Sequence, residues 1–448
     1  MSEIVFRAVG RLDALAPEVA RALFDRATSS DDRVHARVAE IIARVRRDGD
    51  AALRALAREY DGVALGSIEV DRAHSLAALD ALDAPLRRAM ERAIANIATA
   101  HRAFLPETRE IETEPGVVVG RRPDALERVG VYAPGGRAAY PSSVLMGVVP
   151  ARVAGVREIV VCSPPERDTG RPSPVVLAAA ELAGASRVYA LGGAGAIAAM
   201  AHGTGSVQPV QRIVGPGNAY VAEAKVQVSG SVAIDAPAGP SELLVIADYT
   251  ADATAVAREM LAQAEHDPQA SVVLIAADEA SARRIAGVMA RLLPLEPRRA
   301  IIEQALAARG GLLWKSHPFD DDDIDFANRY APEHLLLAVE DPDAMLPSLR
   351  NAGTIFLGAS SSVAFGDYMT GANHVLPTGR AAHSYSGLSV LDFIRWTTYQ
   401  RVTPGAAARL ARDVGVFADA ERLFAHAAAA RAWIADDAGP RIVERESS

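Results

Sequence analysis

Residues 157–205, "REIVVCSPPERDTGRPSPVVLAAAELAGASRVYALGGAGAIAAMAHGTG", decide the fold class. Short β-branched runs ("REIVVC", "SRVYAL") alternate there with Ala-rich helical stretches ("PVVLAAAELAGA", "AIAAMA"), and the alternation continues into "VQRIVGPG" at 210–217. A second series follows, with "ELLVIADYT" at 242–250, a helix ending near Gln263, "ASVVLIAAD" at 270–278, another helix, and "HLLLAVE" at 334–340. Strand–helix alternation of this kind predicts parallel sheets covered by helices on both faces. Two series predict two α/β domains, divided near "DAPAGPSE" at 235–242. Ahead of them, apolar positions recur at three and four from Ser30 to about Arg102, a helical rhythm. "DDRVHARVAEIIARVRRDGD" at 31–50 is one such helix, acidic at its start and basic at its end, as the macrodipole favours. The last 60 or so residues, Ala- and Arg-rich, read as a helical tail rather than a third sheet, and the acidic run "DDDDIDF" at 320–326 reads as a solvated loop without the spacing of a calcium site.

The chain has 448 residues, too many for one core, and half of them are apolar. A formal net charge of −9 argues against a nucleic-acid partner. No uninterrupted apolar stretch reaches the ~18 residues of a membrane span, and the start lacks a signal-peptide layout. A lone Cys162 excludes internal disulfides and Cys-rich zinc modules and fits a reducing cytoplasm. Any metal must therefore be held by His, carboxylate or amide groups.

Several stretches carry chemistry. In "GGAGAIA" at 192–198, Gly193, Gly195 and Ala198 match a dinucleotide fingerprint, but no acid stands about 20 residues on to hold a ribose, so the match alone is weak. "VYAPGG" and "VGPGNAY" put glycines at the carboxyl ends of expected strands, with Tyr132 and Asn218 as polar handles. "RYAPEHLLL" sets Glu333 beside His334, a carboxylate and an imidazole able to move protons near neutral pH. Gln263 and His266, three apart at a helix end, Asp367 in a Gly- and His-rich loop, and His426 in an Ala-rich helix form an N/O ligand set suited to a divalent ion. Sequence separation does not by itself bring the four together.

"VYAPGGRAAYPSSVLM", "VGPGNAYVAEAK", "DAPAGPSELLVIAD", "LAQAEHDP", "RYAPEHL", "GDYMTGANHVLPT" and "SGLSVLDF" together resemble the histidinol dehydrogenase family, over about residues 30–435. The resemblance implies oxidation of L-histidinol to L-histidine with two NAD and one zinc ion per site, the last step of histidine biosynthesis. It implies Gln263, His266, Asp367 and His426 as zinc ligands, with His426 supplied by the partner of an intertwined cytoplasmic homodimer. Glu333 and His334 match the acid–base pair, and Ser241 and Glu421 match substrate contacts beside the metal ligands. Tyr132 and Asn218 match NAD contacts. The family's third NAD contact is a glutamine where this chain has Gly195. By this reading the first α/β domain takes 29–131 with 238–388, the nucleotide-binding one 132–237, a helical arm 1–28, and the tail 389–448. Both α/β domains are Rossmann-like but incomplete. The rival reading is a paralogous zinc/NAD dehydrogenase for another polar alcohol.

Overall fold

The computed structural model describes residues 4–26, 32–135, 139–315 and 321–434. In "ELLVIA" at 242–247 every residue is buried, and the alternation of strand side chains sends them to two different cores. Leu243, Val245 and Ala247 pack with Met260, Ile285, Met289 and Leu306. Leu244 and Ile246 pack with Leu23, Phe326 and Tyr330. A strand covered on both faces has no polar side to show, so it reads as a continuous apolar run.

This strand is central in a six-stranded, wholly parallel sheet, ordered Ala8–Arg11, Gly310–Trp314, Ser271–Ala276, Glu242–Ala247, His334–Ala338, Thr354–Leu357. A five-stranded parallel sheet runs Arg187–Ala190, Glu158–Ser163, Arg128–Tyr132, Arg212–Val214, Ala233–Ile234. Each sheet has one place where the chain's stepping direction reverses. In the larger it lies between 242–247 and 334–338, in the smaller between 128–132 and 212–214. The two α/β series expected from the alternation are thus the two sheets. The helical region ahead of them comprises Asp32–Leu56, Arg72–Asp80 and Ala84–Phe104, the first interrupted at Gly49 (φ 52°, ψ −129°).

Three expectations are corrected. The tail is not purely helical: Ile394–Val402 pairs with Val117–Ala125, which pairs with Arg109–Glu114, in an antiparallel third sheet. Its alternating, largely exposed "IRWTTYQRV" carries two basic residues and lacks the apolar signal of the parallel strands. The acidic run is a helix, Asp321–Tyr330, in which Asp323 is fully buried and ion-paired to Lys315 at 2.9 Å; Asp320 lies outside the described residues. The N-terminal arm holds a strand, Ala8–Arg11, as well as the helix Pro17–Phe24.

By compactness the chain divides into two units, Met1–Leu105 with Leu126–Phe393, and Pro106–Ala125 with Ile394–Ser448. The first holds both parallel sheets. The second holds the antiparallel sheet and the helices Pro404–Ala420 and Phe424–Arg431. No described helix is long and apolar enough to cross a membrane.

Candidate active site

Glu333 and His334 enter the six-stranded sheet at its amino edge. The preceding helix stops at Tyr330, and Ala331 takes a left-handed conformation (φ 48°) directly before Pro332. A non-glycine residue there is strained, and such strain collects at functional sites. The turn delivers Glu333 and His334 beside Glu242, the first residue of the neighbouring strand, and all three are buried. The Glu242 backbone N–H donates to Glu333 Oε2 at 2.8 Å, and the Glu242 carbonyl accepts from His334 Nδ1 at 3.0 Å. A carbonyl can only accept, so Nδ1 carries the proton and Nε2 holds the lone pair of the neutral ring. Nε2 is buried and has no hydrogen-bond partner among the described residues. It points toward Asp367 Oδ1 at 3.6 Å, too far for a hydrogen bond.

Charge governs this corner. Burial alone lowers the His334 pKa, but the carboxylates of Glu333 and Asp367 outweigh it and carry it up to about 10. Burial pushes Asp367 upward, yet His334, His374 and His266 together hold its carboxyl below the usual range. His374, whose Nδ1 meets the Asp367 carbonyl at 2.8 Å, is lowered by burial. Glu242 rises to about 7, chiefly from burial, with Arg26 opposing.

Gln263 is buried in the last turn of the helix Ala253–Ala264, whose start Asp252 caps. His266 is exposed and lies beyond the helix, its N–H reaching the Gln263 carbonyl at 3.4 Å. Three residues apart, Gln263 and His266 would share a face only in a continuous helix, but the helix ends two residues before His266, ahead of Asp267–Pro268, where proline disfavours helical backbone before it. The charge of His266 acts on Asp367, and Gln263, His266 and Asp367 all belong to the first unit. Ser241 is half-buried beside Glu242. Glu421 and His426 belong to the second unit, where both are exposed.

Among the described residues no three His, Cys, Asp or Glu side chains form a metal-holding group. The first unit brings only His266 and Asp367 of those types to the expected set, beside the Gln263 amide. These residues fit a borderline divalent ion: Asp367 is held ionised among imidazoles, and amide oxygen, imidazole and carboxylate are suitable donors.

The smaller sheet offers its carboxyl edge instead. Tyr132 ends one strand at the reversal point, and Gly215 to Asn218 follow its neighbour. The Tyr132 hydroxyl, buried and raised to about 12 by that burial, accepts from the Gly193 N–H at 3.0 Å. Asn218 Oδ1 caps the helix Ala219–Val228, accepting from Tyr220 and Val221 N–H at 3.1 and 3.2 Å. Gly215 (φ 114°) has no room for a side chain, since a Cβ would lie 2.1 Å from the Tyr132 carbonyl oxygen. A buried pair clamps it. Asp235 Oδ2 accepts from the Gly215 N–H at 2.7 Å, Lys225 Nζ donates to its carbonyl at 3.0 Å, and Lys225 and Asp235 join each other. Gly195 is buried in the helix Gly193–His202, where a Cβ would meet Leu56 at 3.0 Å. That position packs tightly against the helix Asp32–Leu56.

Sequence reasoning missed Arg26, Glu242, Lys225 and Asp235. For Glu242 a signal existed, an acid opening an otherwise apolar strand, which must find a partner when buried. For Arg26 there was none.

Comparison with known proteins places the chain. The histidinol dehydrogenase family model matches residues 24–433. The histidinol dehydrogenase of Natronomonas pharaonis is 48% identical over 414 residues, covering 92% of this chain and 96% of that protein. That of Pseudomonas syringae pv. tomato is 42% identical over 436 residues, 96% of each. The crystal structure of histidinol dehydrogenase from Elizabethkingia anophelis superposes with a TM-score of 0.91 at 34% identity, over 97% of this chain and 99% of that one. The chain is an NAD-dependent oxidoreductase acting on a CH–OH group. It belongs to the histidinol dehydrogenase family.

Proposed function

We propose that the chain carries out the zinc-dependent, four-electron oxidation of L-histidinol to L-histidine through L-histidinal, with two molecules of NAD, as the last step of histidine biosynthesis. One observation carries the chemistry: a buried carboxylate and imidazole stand side by side, with the imidazole fixed as the Nδ1–H tautomer and its Nε2 unpartnered among the described residues. In this reading His334 Nε2 takes the hydroxyl proton of the alcohol. Glu333 takes a proton from the water that adds to the aldehyde, and His334 takes the hydroxyl proton of the resulting hydrate. When bound, zinc polarises and orients the substrate while NAD takes up hydride. Gln263, His266 and Asp367 would hold the ion with His426 of the partner subunit. An imidazole held protonated is a weak base at neutral pH; Asp367 engaged as a ligand would withdraw one of the two carboxylates that raise it, leaving Glu333.

Tyr132 and Asn218 are proposed as nucleotide contacts because they flank the reversal point of a parallel sheet at its carboxyl edge, the usual ligand crevice. Gly195 would contribute backbone rather than the family's amide. Ser241 and, from the partner, Glu421 would hold the substrate. A homodimer with shared sites is supported by the exposed Val416, Phe417, Phe424 and Trp433 on the second unit, apolar groups that call for a cover, and a cytoplasmic location is proposed with it from the lone Cys162. The four-part domain division is proposed with it: the strands of the five-stranded sheet precede residues 235–241, and those of the six-stranded sheet follow them except Ala8–Arg11.

The test is NADH formed per L-histidinol consumed, with zinc present and after chelation. Two NADH per substrate, lost on chelation, is the expected result. One NADH with release of the aldehyde removes the Glu333 water step, and turnover unaffected by chelation removes the metal.

A further inference from the structure

Two side chains without a role in that scheme hold the acid–base corner from behind. Glu242 binds the corner through backbone and side chain at once. Its N–H and carbonyl fix Glu333 and His334, while its carboxylate accepts from the Glu333 N–H at 3.3 Å and the Gly379 N–H at 2.8 Å. That carboxylate is in turn held by Arg26, which lies 216 residues earlier and follows the helix Pro17–Phe24. Arg26 also donates to the Tyr330 carbonyl and stacks 3.6 Å over the Tyr330 ring, at the helix end that delivers Glu333 and His334. Arg26 and Glu242 are each 2% exposed.

We propose that Arg26 and Glu242 are positioning residues for the oxidation: the N-terminal arm, through Arg26, locks the Glu242 carboxylate, and Glu242 sets the orientation of Glu333 and the tautomer of His334. The inference rests on Glu333 and His334 being the acid–base pair. Stability alone does not call for such a pair, because a buried ion pair is often replaceable by uncharged groups without loss. What apolar groups cannot supply is the pair of bonds from the Glu333 and Gly379 N–H groups to the Glu242 carboxylate, which hold in place the backbone whose N–H and carbonyl orient Glu333 and His334 Nδ1. Misplacement of a proton-transfer group by about 1 Å can cost about 100-fold in rate.

The double variant Arg26→Met/Glu242→Gln removes the charge pair and keeps an amide oxygen for one of the two backbone N–H groups, which bond separate carboxylate oxygens in the wild type. Expected is a protein that melts within a few degrees of wild type. Its kcat falls about 10- to 100-fold, its KM for L-histidinol changes less than about threefold, the pH profile of kcat moves, and the His334 imidazole ¹⁵N shifts change. Arg26→Lys, which keeps the charge but loses the fork, should lie between; if the double variant fails to fold, this variant decides by the same readings. An unchanged kcat and pH profile in either folded variant overturns the inference. His334→Asn is measured alongside. If it retains turnover, the acid–base reading falls and the positioning role with it. If His334→Asn is inactive while the double variant is normal, only the positioning role falls.

Discussion

The two parallel sheets use opposite edges. The five-stranded sheet presents the carboxyl edge at its reversal point, lined by Tyr132 and the Gly215–Asn218 turn. The six-stranded sheet presents the amino edge at its own reversal point, where Glu242, Glu333 and His334 meet. On the first edge the working parts are backbone groups and glycines, and its polar side chains are already engaged as caps and acceptors. On the second they are ionisable side chains whose charges shift one another. Both edges are braced by a buried ion pair, Lys225–Asp235 and Arg26–Glu242, each clamping backbone rather than facing a cleft. The difference fits the tasks proposed for the two edges. Backbone N–H groups and positive helix ends suit a phosphate-bearing ligand that keeps its charge, whereas proton transfer needs groups that change theirs.

The comparison can be broken at either edge. At the amino edge, Glu333→Gln and His334→Asn should each lower kcat by about 10²- to 10⁴-fold while leaving NAD affinity within about twofold, checked by steady-state kinetics and titration calorimetry. Loss of NAD binding in either variant would mean that the two edges do not divide the labour in this way. At the carboxyl edge, Lys225→Met leaves Asp235 buried without its cation and should cost about 3–5 kcal/mol, read by chemical denaturation. Gly215→Ala should cost at least about 2 kcal/mol and weaken NAD more than histidinol, because its Cβ meets the Tyr132 carbonyl and its backbone is left-handed. Tyr132→Phe removes the acceptor of the Gly193 N–H and should weaken NAD about fivefold, near 1 kcal/mol. Smallest is Cys162→Ala. The thiol is wholly buried and burial pushes its pKa well above the ordinary value, so it is no thiolate nucleophile for the aldehyde step, and kcat should stay within about twofold. A selective failure of the second oxidation in that variant would restore the thiol route.

Much of this was legible in the chain. The parallel strands declared themselves because burial on both faces removes polar alternation, and "ELLVIA" and "HLLLA" leave no solvent side. The antiparallel strand Ile394–Val402 did not, since its side chains are mostly exposed and its pairing depends on a segment nearly three hundred residues earlier. Asp323 escapes a sequence reading for a related reason: an acidic run looks solvated unless the cation that buries one member, Lys315, is known. The spacing of Gln263 and His266 suggests one helix, but that helix ends before His266, at a boundary set locally by Pro268.

The sequence by itself determined the α/β class, the family, and the residue types able to move protons or hold a metal, because periodicity and local motif chemistry are written in short stretches. Only the tertiary structure decided that Glu333 and His334 stand at the amino edge of their sheet, that His334 presents Nε2, and that an arginine of the N-terminal arm braces them. The physical reason is that a tautomer, a shifted pKa or a buried charge is set by neighbours in space. Arg26 and Glu242 become neighbours only when strands and helices far apart in the chain have been packed together.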